Sequence, residues 1–211
     1  MTGITHVLYL HGFRSSPEST KAKFLQQWFG QHYPRIHWEC PQLPASARES
    51  ADAIEHTLQT WQPRSSLVIG SSLGGFYATW AAAKFGCAAC LLNPAVHPAR
   101  DLAGHVGVHP SWHDPDILIE IKPDYREELK ALYVSRALDL LRKEEVTPMH
   151  VRRDTSNLLA VIATGDEVLD WQEMSARYPK HQQYLIQGSD HGITDFADHV
   201  HVLAAFLNTL R

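Results

Sequence analysis

The sequence predicts an α/β protein with a doubly wound, mostly parallel sheet, and two features of the chain support this prediction. Short apolar runs end at turn residues, as buried parallel strands commonly do. Segments with apolar residues at helical spacing lie between these runs, and such alternation is typical of a sheet covered by helices. The predicted strands are residues 6–10, 35–39, 67–69, 88–92, 158–162 and 183–186.

The helical segments are recognised by apolar residues that recur on one face. A chain of 211 residues fits one large domain, so we expect residues 1–211 to form a single unit. Ser46 and Glu49 have the spacing of a capping box and predict the start of one helix. The other helices are predicted around residues 24–29, from just after Ser72, and over residues 196–210.

The alternation breaks between residues 94 and 153, which we interpret as a cap-like insertion within the domain. Residues 94–123 are rich in proline and histidine and show little periodicity. A helix is predicted from about residue 124 to residue 143. Because the insertion follows a core strand, it should lie over the carboxyl ends of the strands, where such sheets bind ligands. We therefore expect it to shape a substrate pocket.

Composition excludes several classes of function. The formal net charge is −4 and no basic tract occurs, which argues against a nucleic-acid partner. No apolar stretch has the length of a membrane helix, and the first ten residues do not resemble a signal peptide. The odd count of three cysteines favours reduced thiols and a cytoplasmic location. Cys87 and Cys90 have redox-motif spacing, but they adjoin an apolar run and are predicted to be buried.

The segment Gly70-Ser71-Ser72-Leu73-Gly74 matches the G-x-S-x-G nucleophile motif of the α/β-hydrolase fold. That motif needs a serine on a sharp turn between a strand and a helix, with glycines that avoid clashes inside the turn. An apolar run precedes this segment and a helical stripe follows it, as the motif requires. Ser72 is therefore the predicted nucleophile, and Ser71 lacks the symmetric glycine spacing.

A serine hydroxyl needs a base to accept its proton, and topology selects one among the fourteen histidines. In this fold the acid and then the histidine follow the serine along the chain, in loops after late strands. His191 lies in a glycine-flanked loop after residues 183–186 and is the predicted general base. Asp166, directly after residues 158–162, is the favoured acid, with Asp170 as the alternative and Glu167 less favoured.

Acyl transfer also needs donors for the developing oxyanion. The backbone N–H of Leu73, directly after the nucleophile, is one predicted donor. The other should come from the loop after the first strand, where Gly12 allows a turn and the N–H of Phe13 is our choice. Arg14 follows and is a possible contact for an anionic part of a substrate, although a solvated surface arginine is the more ordinary interpretation.

Two rival functions remain open at this stage. Four histidines in the insertion, at positions 97, 105, 109 and 113, suggest a metal-dependent hydrolase. Glycines and a proline interrupt any regular helix there and no further ligand completes a set, so we predict no metal site. The second rival is a binding protein that has the hydrolase fold without catalysis.

Together these segments resemble the YqiA-like bacterial esterases, a family of small single-domain α/β hydrolases. The resemblance rests on residues 8–17, 70–78, 92–96, 164–170 and 188–191, in the expected order. It implies cofactor-independent hydrolysis of short acyl esters or acyl-CoA thioesters, with Ser72, Asp166 and His191 as the triad. It also implies a reduced sheet of about six strands, because the chain starts directly at the oxyanion-loop strand. The sequence departs from the resemblance over the proline- and histidine-rich residues 97–115, and it makes no prediction of the oligomeric state.

Overall fold

The fold is a six-stranded sheet with helices on both faces. A computed structural model describes residues 2–134 and 157–210. The six strands of this sheet are β1 His6–Leu10, β2 His37–Glu39, β3 Ser66–Ser71, β4 Ala88–Leu92, β7 Leu158–Ala163 and β8 Gln183–Ile186. Their order in the sheet is β2-β1-β3-β4-β7-β8 with every neighbouring pair parallel, which confirms the predicted fold class.

The central strands are apolar on both faces because helices cover both faces. Every residue of β3, β4 and β7 is buried. The longer helices are α1 Thr20–His32, α2 Ala47–Gln59, α3 Leu73–Phe85 and α7 Phe196–Thr209, and a shorter helix α6 spans Trp171–Arg177. One buried cluster includes apolar residues of α2 and α3, and a second cluster on the opposite face includes those of α1 and α7.

Register places the functional loops together. Leu10 pairs with Gly70 and Ser71 pairs with Leu92, so β1, β3 and β4 end at the same edge of the sheet. Ala163, the last residue of β7, pairs with Ile186, the last residue of β8. The five loops that follow these strands therefore start at one edge, as expected for parallel strands.

The insertion between β4 and β7 contains a hairpin that the sequence did not predict. Strands β5 Gly107–Pro110 and β6 Leu118–Ile121 pair antiparallel, between the short helices α4 Pro98–Asp101 and α5 Tyr125–Ala131. The helix predicted over residues 124–143 ends instead at Ala131, where the N–H of Leu132 returns to the carbonyl of Glu128. The remainder of that prediction, residues 135–143, lies outside the described residues.

None of the helices described in residues 2–134 and 157–210 combines the length and apolar character needed to cross a bilayer.

Candidate active site

The sharp turn predicted at Ser72 is present between β3 and α3. Ser72 has a φ of 54°, a left-handed conformation that is unusual for a serine. A Cβ atom on Gly70 would lie 2.1 Å from the carbonyl oxygen of Gly74. A Cβ atom on Gly74 would lie 2.0 Å from the carbonyl oxygen of Leu10. Both motif positions therefore require glycine, since a side chain at either would collide with backbone.

The structure brings the three predicted triad residues together. The Nε2 atom of His191 lies 3.0 Å from the Oγ atom of Ser72, and its Nδ1 atom lies 2.8 Å from Oδ2 of Asp166. The Asp166 carboxylate has no solvent exposure, whereas the His191 side chain is 21% exposed. A buried carboxylate that accepts the Nδ1–H proton leaves Nε2 free to accept the serine proton. The geometry can therefore support proton transfer from Ser72.

The alternative residues have other roles. Ser71 is buried and its side chain faces the Tyr9 hydroxyl. Asp170 caps α6, where its Oδ1 atom accepts the N–H of Gln172 at 2.8 Å. Glu167 accepts the backbone N–H of His191 at 3.0 Å. Of the three carboxylates weighed as the acid, Asp166 is the one that contacts the imidazole.

The loop after β1 lies against the predicted nucleophile. A Cβ atom on Gly12 would lie 3.3 Å from Cβ of Ser72, which is tighter than an ordinary contact, and 3.8 Å from its Oγ atom. The backbone N–H groups of Phe13 and Leu73 have no hydrogen-bond partner in the part of the chain that the structure describes. Leu73 is also the first residue of α3, where the helix dipole favours negative charge. These two amides are available for the predicted role.

His11 fixes the peptide that carries the Phe13 amide, and sequence analysis missed it. The backbone N–H of Leu43 donates to Nε2 of His11 at 2.9 Å, so the ring proton must be on Nδ1. Nδ1 then donates to the carbonyl oxygen of Gly12 at 2.9 Å. That carbonyl and the N–H of Phe13 belong to one planar peptide, so the ring sets the direction of the N–H. Burial lowers the pKa of His11, which keeps this tautomer neutral.

Asn93, directly after β4, joins the loops that carry the acid and the base. Its side-chain amide donates to the carbonyl oxygens of Asp190 at 3.1 Å and His191 at 3.0 Å. Its Oδ1 atom accepts the N–H of Ala163, the last residue of β7, at 2.7 Å. Asn93 is 1% exposed and has a φ of 43°, which asparagine tolerates better than most residues. The Asn93-Pro94 pair was visible in the sequence, but nothing local indicated these distant partners.

The insertion contacts the oxyanion loop largely through side chains that donate to backbone carbonyl groups. Arg14 donates from Nε to the carbonyl of Pro110 at 2.7 Å, and its guanidinium lies 4.1 Å from the centre of the Trp112 ring. The indole N–H of Trp112 donates to the carbonyl of Phe13 at 3.1 Å. Arg14 has a φ of 57°, so the loop is left-handed at this residue. The predicted role of Arg14 as a substrate contact remains a prediction, because the structure shows its guanidinium engaged by the hairpin.

Charged groups near the site include one lysine that the sequence did not single out. Burial lowers the pKa of Lys21 to about 8, although the carboxylates of Asp190 and Asp166 oppose that shift. The four histidines of the insertion do not form a ligand set. Within residues 2–134 and 157–210, no three His, Cys, Asp or Glu side chains are grouped so that they could hold a metal ion.

A parallel sheet with this turn after β3, and a carboxylate–histidine pair after β7 and β8, defines an α/β hydrolase. Structural similarity agrees with that class. Alpha/beta hydrolase domain-containing protein 10 from mouse superposes with a TM-score of 0.65 at 14% identity, over 100% of this chain and 90% of that chain. A structure from work on LipS and LipT, two metagenome-derived lipolytic enzymes, gives a TM-score of 0.65 at 17% identity, over 99% of this chain and 95% of that one. At these identities the likeness concerns the fold.

The chain belongs to the family described as "Uncharacterised protein family (UPF0227)", whose profile matches residues 6–208. A UPF0227 protein of Vibrio parahaemolyticus is 19% identical over 205 residues, which cover 96% of this chain and 99% of the relative. Membership of this family confirms the resemblance to the YqiA-like proteins that the sequence motifs indicated.

Proposed function

We propose that the protein is a serine hydrolase that cleaves carboxylic esters through an acyl-enzyme on Ser72. The observation that supports this most is the continuous hydrogen-bonded array from Ser72 Oγ through His191 to the buried Asp166 carboxylate. A binding protein has no need for a strained serine whose hydroxyl faces an oriented imidazole. Short-chain esters and acyl-CoA thioesters, which the family resemblance implies, are the first substrates to test, and no cofactor is required.

In the first half-reaction, Ser72 Oγ attacks the carbonyl carbon while its proton moves to Nε2 of His191. The carbonyl oxygen becomes an oxyanion that accepts hydrogen bonds from the N–H groups of Leu73 and Phe13. The C–O bond to the leaving alcohol then breaks, and Nε2 returns the proton to that oxygen. Asp166 keeps Nδ1–H oriented and stabilises the transient imidazolium.

In the second half-reaction, a water molecule attacks the acyl-enzyme and gives its proton to Nε2 of His191. The second oxyanion forms against the same two amides. The bond between the acyl carbon and Ser72 Oγ breaks, Nε2 returns the proton to Oγ, and the carboxylic acid leaves. The sum is one ester and one water converted to one acid and one alcohol.

Labelling with a fluorophosphonate, combined with hydrolysis of p-nitrophenyl butyrate, tests the proposal. We expect one label per chain on Ser72, and loss of both label and turnover in Ser72→Ala, with kcat lower by roughly 10³–10⁶. Ser71→Ala is the matched control and should keep the label. A Ser72→Ala protein that retains most turnover would contradict the mechanism. A folded wild-type protein with neither label nor turnover would favour the binding-protein alternative.

Acid pH should also stop the reaction, because a protonated His191 cannot accept the serine proton. We expect kcat/KM to fall with one protonation on the acid side. A rate that does not fall on acidification, in protein that stays folded, would be inconsistent with a histidine base.

A further inference from the structure

A cavity of about 690 Å³ lies between the loop after β1, residues 42–45 and the hairpin of the insertion. Its volume falls within the roughly 300–1,000 Å³ typical of small-molecule sites. Gly12, Phe13 and Leu73 form part of its wall, and a Cβ atom on Gly12 would lie 3.8 Å from Oγ of Ser72. The cavity therefore begins beside the predicted nucleophile and the predicted oxyanion donors.

The position of the general base shows which part of an ester would enter this cavity. His191 must protonate the leaving oxygen, so the leaving group lies within hydrogen-bond reach of Nε2. The acyl group then extends away from His191. Among the described residues, those that line the cavity all precede Lys122, and no residue of 157–210 takes part. The cavity is thus on the side of Ser72 that the acyl group would occupy.

The chemistry of the inner wall favours an apolar occupant. The hairpin strands alternate, so Ile119 and Ile121 face the cavity while Val108 and Glu120 point outward. The opposite wall includes Leu43. Polar side chains such as Gln42 and His113 also line the cavity, but Gln42 already donates to the carbonyls of Ser15 and Leu43. An acetyl group would leave most of this volume unused.

We propose that this cavity is the acyl subsite and that the protein prefers esters of apolar acids longer than butyric acid, with Ile119 limiting the length. The proposal rests on the proposed function, since it needs Ser72 as the acylated residue. It goes further by specifying the acyl side of the substrate, its apolar character and the wall that selects it.

Two substrate series test the proposal. With p-nitrophenol as the constant leaving group, kcat/KM should rise up to about fourfold per added methylene from butyrate to octanoate, because each buried methylene contributes about 0.8 kcal/mol. With butyrate as the constant acyl group, ethyl to octyl alcohols should change kcat/KM by less than about threefold in total. If kcat/KM rose as steeply with the length of the alcohol as with the length of the acyl group, or more steeply, the assignment of the cavity to the acyl side would be overturned.

Paired variants test the wall. Ile119→Trp should lower the octanoate-to-butyrate ratio of kcat/KM at least tenfold, and Ile119→Ala should move the preferred chain to greater length. Val108→Trp, on the outward face of the neighbouring strand and 60% exposed, should leave the ratio unchanged. An unchanged ratio in both folded Ile119 variants would refute the subsite.

The failures of the two proposals are distinguishable. If hydrolysis depends on Ser72 but kcat/KM does not change across the acyl series, the acyl subsite is contradicted and the serine esterase is still supported. If the protein shows neither hydrolysis nor a fluorophosphonate label, the proposal of a serine hydrolase is contradicted, and so is the acyl subsite that rests on it.

Discussion

The carboxyl edge of the sheet and the hairpin above it, the two parts of the proposed site, are held in place by different means. At the sheet edge, Asp166 and Asn93 are almost fully buried, and side chains hold the loops of the site. On the hairpin, Val108, Trp112 and Leu118 are each at least 60% exposed, and the bonds to the oxyanion loop go mainly to carbonyl groups. The hydrogen bond to the Phe13 carbonyl comes from the side chain of Trp112, which is itself exposed, so substitutions on the hairpin can alter this half more readily than the buried sheet edge.

The largest effect expected at the sheet edge is that of Asp166→Asn. An amide cannot accept and orient the Nδ1–H of His191 as a carboxylate does, and kcat should fall by about 10⁴. Asp170→Asn is the matched control, because Asp170 caps α6 and does not touch the imidazole. Steady-state kinetics of both folded variants would decide the comparison. A larger loss in Asp170→Asn would reassign the acid.

Asn93→Asp should lower kcat by about 10²-fold with KM changed less than about threefold, since small displacements of a catalytic group are that costly. Aspartate keeps the size and tolerates the left-handed backbone, but it places an oxygen opposite the carbonyls of Asp190 and His191. Fluorophosphonate labelling should slow in parallel with kcat. Ser66→Ala, which removes a partly buried hydrogen bond to the carbonyl of Gln62 at the other end of β3, is the control for general destabilisation. Wild-type kcat in folded Asn93→Asp would contradict the positioning role.

His11→Ala should lower kcat by roughly 10–100-fold, somewhat less than the 10²–10³-fold lost when an oxyanion donor is removed entirely. The expected cause is a freely tilting peptide between Gly12 and Phe13, so KM should change little. The kcat-to-KM split in ester hydrolysis is the measurement. An effect confined to KM would show that His11 shapes the binding cavity and does not orient the donor.

Trp112→Phe tests the hairpin half of the comparison and should reduce kcat by only about two- to tenfold. It removes one hydrogen bond to the Phe13 carbonyl, worth about 0.5–1.5 kcal/mol net, and keeps an aromatic ring beneath Arg14. A loss as large as that of His11→Ala would mean that the hairpin orients the oxyanion loop as strongly as the sheet edge does.

The smallest effect on turnover is expected for Lys21→Met. This variant should instead change how the stability of the fold depends on pH. The pKa of Lys21 in the folded protein, about 8, is below its ordinary value, so folding disfavours the ammonium form. That cost is present below pH 8 and disappears as the pH rises toward the unfolded pKa of about 10.4. Lys21→Met should therefore raise the Tm by about 2–4 °C at pH 7, corresponding to about 1 kcal/mol, and by less at pH 10.

Lys23→Met is the control for that measurement, because Lys23 is exposed and pairs with Glu18. It should leave the Tm nearly unchanged at both pH values. A Tm of Lys21→Met below that of the wild type at pH 7 would mean that attraction to Asp166 and Asp190 outweighs desolvation.

Local signals explain which features the sequence could predict. The strands, the turn at Ser72 and the loop of His191 follow from short runs and glycine spacing, and the structure places them as expected. The sequence favours Asp166 as the acid but keeps Asp170 as an alternative, because both follow the same strand. What distinguishes Asp166 is its hydrogen bond to the imidazole of His191, which is 25 residues further along the chain, and no local sequence pattern predicts that contact.

Features held by distant partners escaped prediction. Strands β5 and β6 are four residues long with a proline in the first, so they show little alternation before they pair with each other. His11 and Asn93 were present in the quoted motifs, but their partners Leu43 and Asp190 are remote in sequence. Such roles depend on the assembled edge of the sheet.

The strand order has a consequence for folding. Ser72 and His191 are 119 residues apart in the chain, and the loop of His191 follows β8, the outermost strand on its side. Parallel pairing of remote strands is slow to form compared with local contacts. During refolding, α3 and the turn at Ser72 can therefore exist before β8 joins the sheet, and reactivity toward a fluorophosphonate should appear only in the last kinetic phase.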